Sequence, residues 1–394
     1  CNLGVALQKL NRLDEAAASY RNAIATKSDY FEAHNNLGLV LRFLQQRDEA
    51  VVSFQRALSI KPNYVEAYVN VANTLFSMQD LQKVDEAIAN YRKALVLQPD
   101  LAEAHNNLGA ALVSQGRVDE ALASYKNAVA SRPDYAEAHS NRGLAYQELG
   151  KLNDALSSFE EALRITQDTA EIHYKHGNVL HKLGRQNEAM VSYRRALDLQ
   201  PNYAEAHNNL GRVLYELGRL EEAINSYNQA LAIMPDSANT HNNLGNALRK
   251  LPDFCKAQAS YHKALAIKPD YAAAHYNLGV TFQKLGKLEE ALKCLKDADS
   301  RAPSPKTSAT LLECYYRNQD RDGFEHQLKQ IAKNQRLNFR AASASAFVSH
   351  QWGTSNSYKF CDNPIELVTI YDLLDTGDVS TGLIMEIENA AVNS

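Results

Sequence analysis

Asparagine returns along this chain at Asn2, Asn36, Asn70, Asn107, Asn141, Asn209, Asn243 and Asn277, with Lys175 filling the one gap. A side-chain amide carries donors and an acceptor together, so a row of them can hold the N–H and C=O groups of an extended peptide without reading its side chains. A second row is histidine: His34, His105, His139, His173, His207, His241 and His275. As a metal array this row fails on distance. Equivalent residues of stacked helical units lie ~10 Å or more apart, whereas zinc ligands sit about 2 Å from the ion. His173, His176 and His181 form the one local cluster with ligand chemistry, and no Cys or clear carboxylate partner stands beside them to complete a metal site. Packing inside the fold is therefore the expected role of the histidines, and no metal or other cofactor is expected.

Both rows follow a ruler. The word AEAHNNLG at Ala204 returns as FEAHNNLG, AEAHNNLG, AEAHSNRG, AEIHYKHG, ANTHNNLG and AAAHYNLG, with most starts 34 residues apart. Full repeats run 31–64, 65–101, 102–135, 136–169, 170–203, 204–237, 238–271 and 272–305. A fixed period of this size specifies stacked units that bury a continuous core between neighbours. Counting from each repeat start, small residues fall at position 8 (Gly38, Gly109, Gly211) and position 20 (Ala50, Ala121, Ala223), an aromatic at position 24 (Phe54, Tyr125, Tyr227) and Ala at position 27. Positions 4, 7, 8 and 11 are the stripe of one amphipathic helix, and positions 20, 24 and 27 the stripe of a second. Glycine at position 15 (Gly150, Gly184, Gly218, Gly286) separates the two, and proline at position 32 ends the second. Each unit is thus a helix hairpin.

This pattern of Leu-Gly, Ala, Phe/Tyr, Ala and Pro resembles the tetratricopeptide repeat over 1–334. The resemblance implies an all-α, right-handed superhelical solenoid of antiparallel helix hairpins. It divides the chain into a truncated first repeat (1–30), eight repeats (31–305), a degenerate capping repeat (306–334) and a tail (335–394). Two departures stand out. Gln79 to Val84 lengthens the third unit by three residues, which a bulge in the hairpin loop should absorb. Arg142 and His176 replace Leu at position 7, which should make their two units the softest.

The inner groove of such a stack is lined by first helices, and position 6 points away from the hairpin's own core. The row Asn36, Asn70, Asn107, Asn141, Asn209, Asn243 and Asn277 resembles the asparagine ladder in the repeat domain of O-linked N-acetylglucosamine transferase. That likeness implies backbone clamps on a bound peptide. Asn at this position also suits hydrogen bonding between neighbouring helices, and both readings stand on sequence. Specificity would come from positions 9, 12 and 13, such as Arg42, Phe43, Phe76, Arg212, Tyr215 and Arg249. A carboxylate clamp built from Lys and Arg beside the Asn is not supported, because position 2 is mostly Glu (Glu32, Glu66, Glu103, Glu137, Glu171, Glu205). Acidic residues there suit a helix N-terminus.

The net charge of -4 gives no electrostatic reason to expect nucleic acid. Five scattered cysteines without a C-x-x-C pair offer no disulfide framework and suit a reducing, cytoplasmic setting. No apolar run is long enough for a membrane span. Phosphate-loop, nucleophile-elbow and H-E-x-x-H signatures are missing, so the chain is not expected to be an enzyme. It is expected to be a scaffold binding a protein or peptide partner, with self-association through exposed solenoid ends as a further possibility. The opening CNLG falls inside a repeat and reads as a fragment. The tail, from NFRAASASAF to YKFCDNPIELVTIYDLL, resembles the lead-in to a putative 2-oxoglutarate/Fe(II) oxygenase domain. That likeness implies an alternative, the substrate-recruiting arm of an oxygenase or glycosyltransferase whose catalytic domain is missing from this chain.

Overall fold

A computed structural model describes residues 1–166 and 169–333; the tail expectations lie outside the described residues. Every element among the described residues is an α-helix. The chain forms two compact units, Cys1–Pro201 and Asn202–Ser394. In the first, six hairpins follow one another: α1 (Asn2–Lys9) with α2 (Leu13–Thr26), α3 (Phe31–Phe43) with α4 (Arg47–Ile60), α5 (Val65–Phe76) with α6 (Leu81–Leu97), α7 (Ala102–Ser114) with α8 (Val118–Ser131), α9 (Ala136–Glu148) with α10 (Leu152–Ile165), and α11 (Ala170–Lys182) with α12 (Gln186–Leu199). The second holds four: α13 (Ala204–Glu216) with α14 (Leu220–Ile233), α15 (Ala238–Lys250) with α16 (Phe254–Ile267), α17 (Ala272–Lys284) with α18 (Leu288–Arg301), and α19 (Pro305–Arg317) with α20 (Arg321–Lys333).

Helices of 13 or 14 residues are marginal alone, so packing must hold them. The lock between the two helices of a hairpin is a ring seated on a glycine. At Gly211 an added Cβ would lie 2.7 Å from Cε1 of Tyr227, and at Gly109 it would lie 2.5 Å from Cε1 of Tyr125. These rings are almost wholly buried, each contributing ~1.5–3 kcal/mol of apolar transfer. Ala72 stands opposite Tyr91 in the one full repeat without the glycine. In the last hairpin the lock is reversed rather than lost: Tyr315 of α19 covers Gly323 of α20, while Leu312 and Phe324 fill the usual small-residue sites.

Hairpin turns place one residue in the left-handed region, glycine at Gly150 (φ +71°) but glutamine at Gln45 (φ +62°). The three extra residues of the third unit correct the expected loop bulge. They extend α6 to 17 residues, and α5 ends one residue early, so that four residues rather than three join the two helices. Asp80 caps the added turn, accepting from the backbone N–H of Gln82 at 2.8 Å. A helical extension leaves fewer unpaired backbone groups than a bulge would.

Within each unit, consecutive first helices touch, as α5 with α7 and α15 with α17. Second helices flank the next first helix instead. Between α14 and α16 this leaves a depression of about 880 Å³ with His241, Leu244 and Leu248 of α15 at its base. The first helices therefore form one continuous face in each unit.

Candidate functional site

The position 6 asparagines sit at the seam between consecutive first helices. Asn70 donates its Nδ2–H to Asn35 Oδ1 at 3.0 Å, Asn141 to Asn106 at 3.0 Å, Asn243 to Asn208 at 3.2 Å and Asn277 to Asn242 at 3.0 Å. In every case the acceptor is position 5 of the preceding repeat. Where position 5 is Val69, Asn107 turns to Asn73 Oδ1 instead, at 3.0 Å. Asn36 follows the same register but meets Cys1 Sγ at 4.0 Å. Asn209 also has a partner, and Lys175, in the gap, pairs with Glu171 of its own helix at 2.7 Å.

The position 5 amides work in the opposite direction too. Asn35 donates to Glu66 Oε1 at 3.2 Å and Asn106 to Glu137 Oε1 at 3.1 Å. The glutamates thus serve as acceptors across the seam as well as complementing helix dipoles. Asn35, Asn106 and Asn242 are buried, while Asn141, Asn243 and Asn277 are half-exposed. The seam bond takes one N–H of each half-exposed amide; the other N–H and the Oδ1 have no partner among the described residues. Asn70 is buried and offers less.

Position 9 has a structural role that the sequence reading missed. Tyr91, Tyr193 and Tyr261 donate their hydroxyls to Oδ1 of Asn73, Asn178 and Asn246, at 2.5, 2.8 and 2.8 Å. Burial raises the phenol of Tyr261 to about 12, so it stays a donor. The signal in the sequence was partial: where position 24 is Phe54 or Phe159, position 9 is Leu39 or Leu144, but Tyr20, Tyr125 and Tyr227 have Val5, Ala110 and Arg212 there.

The histidine row does more than pack. His105, His139, His241 and His275 donate from Nε2 to the carbonyls of Pro99, Pro133, Pro235 and Pro269, at 2.9, 2.9, 3.0 and 2.9 Å. Each ring ties its helix to the turn six residues earlier, a spacing that the sequence displayed. His34 does the same to Ser28 at 3.2 Å. Desolvation lowers the pKa of His139 and His241, keeping the rings neutral. Arg142 and His176, the two intruders at position 7, both find the serine at position 23 of their own hairpin: Arg142 Nε donates to Ser158 Oγ at 3.1 Å, and His176 Nδ1 lies 2.9 Å from Ser192 Oγ. Burial lowers His176 to about 4.

Among the described residues no group of three or more His, Cys, Asp or Glu is placed to hold a metal ion. Burial raises the thiols of Cys294 and Cys314 to about 11, so neither is an activated nucleophile. No described helix is long and apolar enough to cross a membrane.

The residues expected to set specificity fall on or beside the first-helix face. Phe43 is exposed with the Arg42 guanidinium 5.9 Å from its ring, and burial lowers the pKa of Arg42. Phe76 is half-buried and Arg212 exposed. The Lys250 ammonium lies 4.4 Å from the Tyr215 ring centroid. Arg249 is half-buried, and its Nε has no acceptor. The depression between α14 and α16 is lined by none of the row asparagines.

Comparison with known proteins places these repeats. The sequence matches the TPR repeat at residues 4–42, 80–116, 109–150, 148–184, 177–218, 211–251 and 253–286, and the tetratricopeptide repeat at 31–64 and 272–305. A search of curated proteins found no match. Among solved structures the chain is similar to YrrB, described as a TPR protein with an unusual peptide-binding site, at 28% identity over 47% of this chain and 95% of that one, with a TM-score of 0.42. It is similar to PilF of Pseudomonas aeruginosa at 20% identity over 55% and 99%, with a TM-score of 0.48. The Cut9–Hcn1 assembly of the APC/C aligns at 18% identity over 77% and 59%, with a TM-score of 0.51 that shows a shared fold. The family matches cover more than half of the chain, and with the repeating glycine and ring locks they make it a member of the tetratricopeptide repeat family.

Proposed function

We propose that the first-helix face of each unit holds an extended segment of a partner protein, with Asn36, Asn70, Asn107 and Asn141 acting on its backbone in the first unit and Asn209, Asn243 and Asn277 in the second. The tetratricopeptide fold is generally that of a non-catalytic protein-interaction scaffold, and repeats of this kind present a continuous face to partners. The observation carrying the finer reading is the state of Asn141, Asn243 and Asn277. Each is oriented by its seam bond, yet keeps one N–H and its Oδ1 for a ligand. An amide held in place by one bond loses little entropy when it makes the next.

The half-exposed members carry most of the contact in this reading, and the buried Asn70 mainly secures the seam. The test is a calorimetric titration of a selected peptide into the wild-type chain and into Asn107→Ala plus Asn141→Ala. Loss of about 1–3 kcal/mol of binding is expected for two hydrogen-bonding amides. Unchanged affinity in a variant that remains folded would reduce the row to a structural seam.

A further inference from the structure

The acidic row on the first helices stops at Glu205. Its successors are Asn239 and Ala273, and α15 and α17 contain no Asp or Glu at all. Their last turns carry Arg249, Lys250 and Lys284. None of the three makes an ion pair among the described residues, and Lys250 and Lys284 are exposed. The neighbouring helix α13 differs, with Glu205 and Glu216.

Two donors on this stretch also stand without acceptors. They are Nε of Arg249 and Nε2 of Gln283, both at position 12 of consecutive repeats and both shielded from solvent. In the first repeat the same position is Gln8, which accepts the Tyr20 hydroxyl at 3.2 Å. In the repeat of Gln283 the ring is replaced by Leu295, so the hydroxyl that would orient the amide is absent and the side chain meets only the Cys314 thiol, a weak acceptor. The guanidinium of Arg249 donates to the Tyr261 oxygen, whose hydroxyl in turn donates to Asn246, while Arg249 Nε keeps no acceptor of its own. A buried donor without an acceptor costs ~1–3 kcal/mol, a cost that an acceptor-rich ligand would relieve.

Resting on the reading of this face as a peptide receptor, we infer that the α15–α17 stretch takes an acidic segment of the partner peptide, through Asp or Glu side chains. Lys250 and Lys284 attract the segment from the rim, and Arg249 and Gln283 donate to its carboxylate or carbonyl oxygens. Consecutive first helices pack ~10 Å apart, and an extended peptide advances ~3.3 Å per residue. The acidic side chains therefore recur about every third residue along the bound segment.

The experiment selects phage-displayed random peptides of about ten residues, ~33 Å when extended, on the full chain and on Lys250→Gln plus Lys284→Gln. The pool from the wild type should be enriched in Asp and Glu over the starting library. In an anisotropy titration, the strongest peptide should bind about tenfold more tightly than its Gln/Asn counterpart, as charge complementarity across an interface gives. The double variant should still select peptides but bring that ratio to about twofold or less, and Arg249→Met, if folded, should do likewise. A wild-type pool with no acidic enrichment would overturn the inference while leaving the receptor reading intact. Failure to select any peptide would overturn both. Acidic enrichment that persists in the double variant would move recognition away from this stretch, and a single-stranded oligonucleotide that outcompetes every selected peptide would replace the peptide as its ligand.

Discussion

Tyr193 reaches across its hairpin from α12 and donates its hydroxyl to Oδ1 of Asn178 on α11, 2.8 Å away. The same bond joins Tyr91 to Asn73 and Tyr261 to Asn246, whereas the repeats with Phe54 and Phe159 have leucine in the asparagine's place. In these five repeats the pair is polar or apolar as a whole, whereas the repeats of Tyr20 and Tyr125 have Val5 and Ala110 at that position. Asn178→Leu alone strands the buried hydroxyl and should cost about 1–3 kcal/mol. Asn178→Leu with Tyr193→Phe should recover most of it, since both ends are then apolar. A double-mutant cycle on urea midpoints measures the coupling, and additive effects would show that the bond contributes nothing.

Glycine 211 is predicted to be the least replaceable small residue in its hairpin. Its Cβ would meet the Tyr227 ring at 2.7 Å, and that ring is buried with no room to retreat. Gly211→Ala should cost about 1–3 kcal/mol by overpacking, despite alanine's better helix propensity. Gly116→Ala tests a different cause, because open space surrounds it and only its φ of +72° resists a side chain. Chemical denaturation of the two variants separates steric from backbone cost.

Acidification should loosen the hairpin of His176. Its folded pKa is about 4, lowered first by burial and then by His173 and Arg185, against 6.5 for an ordinary histidine. Below pH 6.5 the unfolded chain takes up a proton that folded His176 does not, so this share of stability is complete above that pH. It falls away as the pH drops toward 4. Leucine is the usual residue at this position, so His176→Leu should gain on the wild type by the order of 1–2 kcal/mol between pH 7 and 4, allowing for the ring's partial exposure. Denaturation midpoints that run parallel over this range would refute the assignment.

Removing Leu81 to Lys83 should be tolerated. The deletion joins Asp80 to Val84, Asp85 and Glu86, giving D-V-D-E where the next repeat reads R-V-D-E at Arg117 to Glu120. The lost turn of α6 buries little: Leu81 is 73% exposed. A change below about 1 kcal/mol in unfolding free energy is expected. A large loss would mean that the extra turn supports its neighbours.

The sequence alone determined the fold class, the hairpin unit and its core, because the 34-residue ruler repeats one packing problem many times. Gly211 and Tyr227 could be matched as hole and knob, since position within a helix fixes which way a side chain points. A single glycine in the last hairpin did not announce that Gly323 would take the hole and Tyr315 the knob, because reversing a lock preserves composition. The three-residue insertion was visible too, but its place in helix rather than loop depended on backbone hydrogen bonding that only the folded chain displays. Tertiary structure also decided how the asparagines are engaged. Periodicity put Asn141 on the face of α9, but its bond to Asn106 arises from stacking two hairpins. A residue's distance to the next repeat is set by helix packing, and no spacing along one chain encodes it directly.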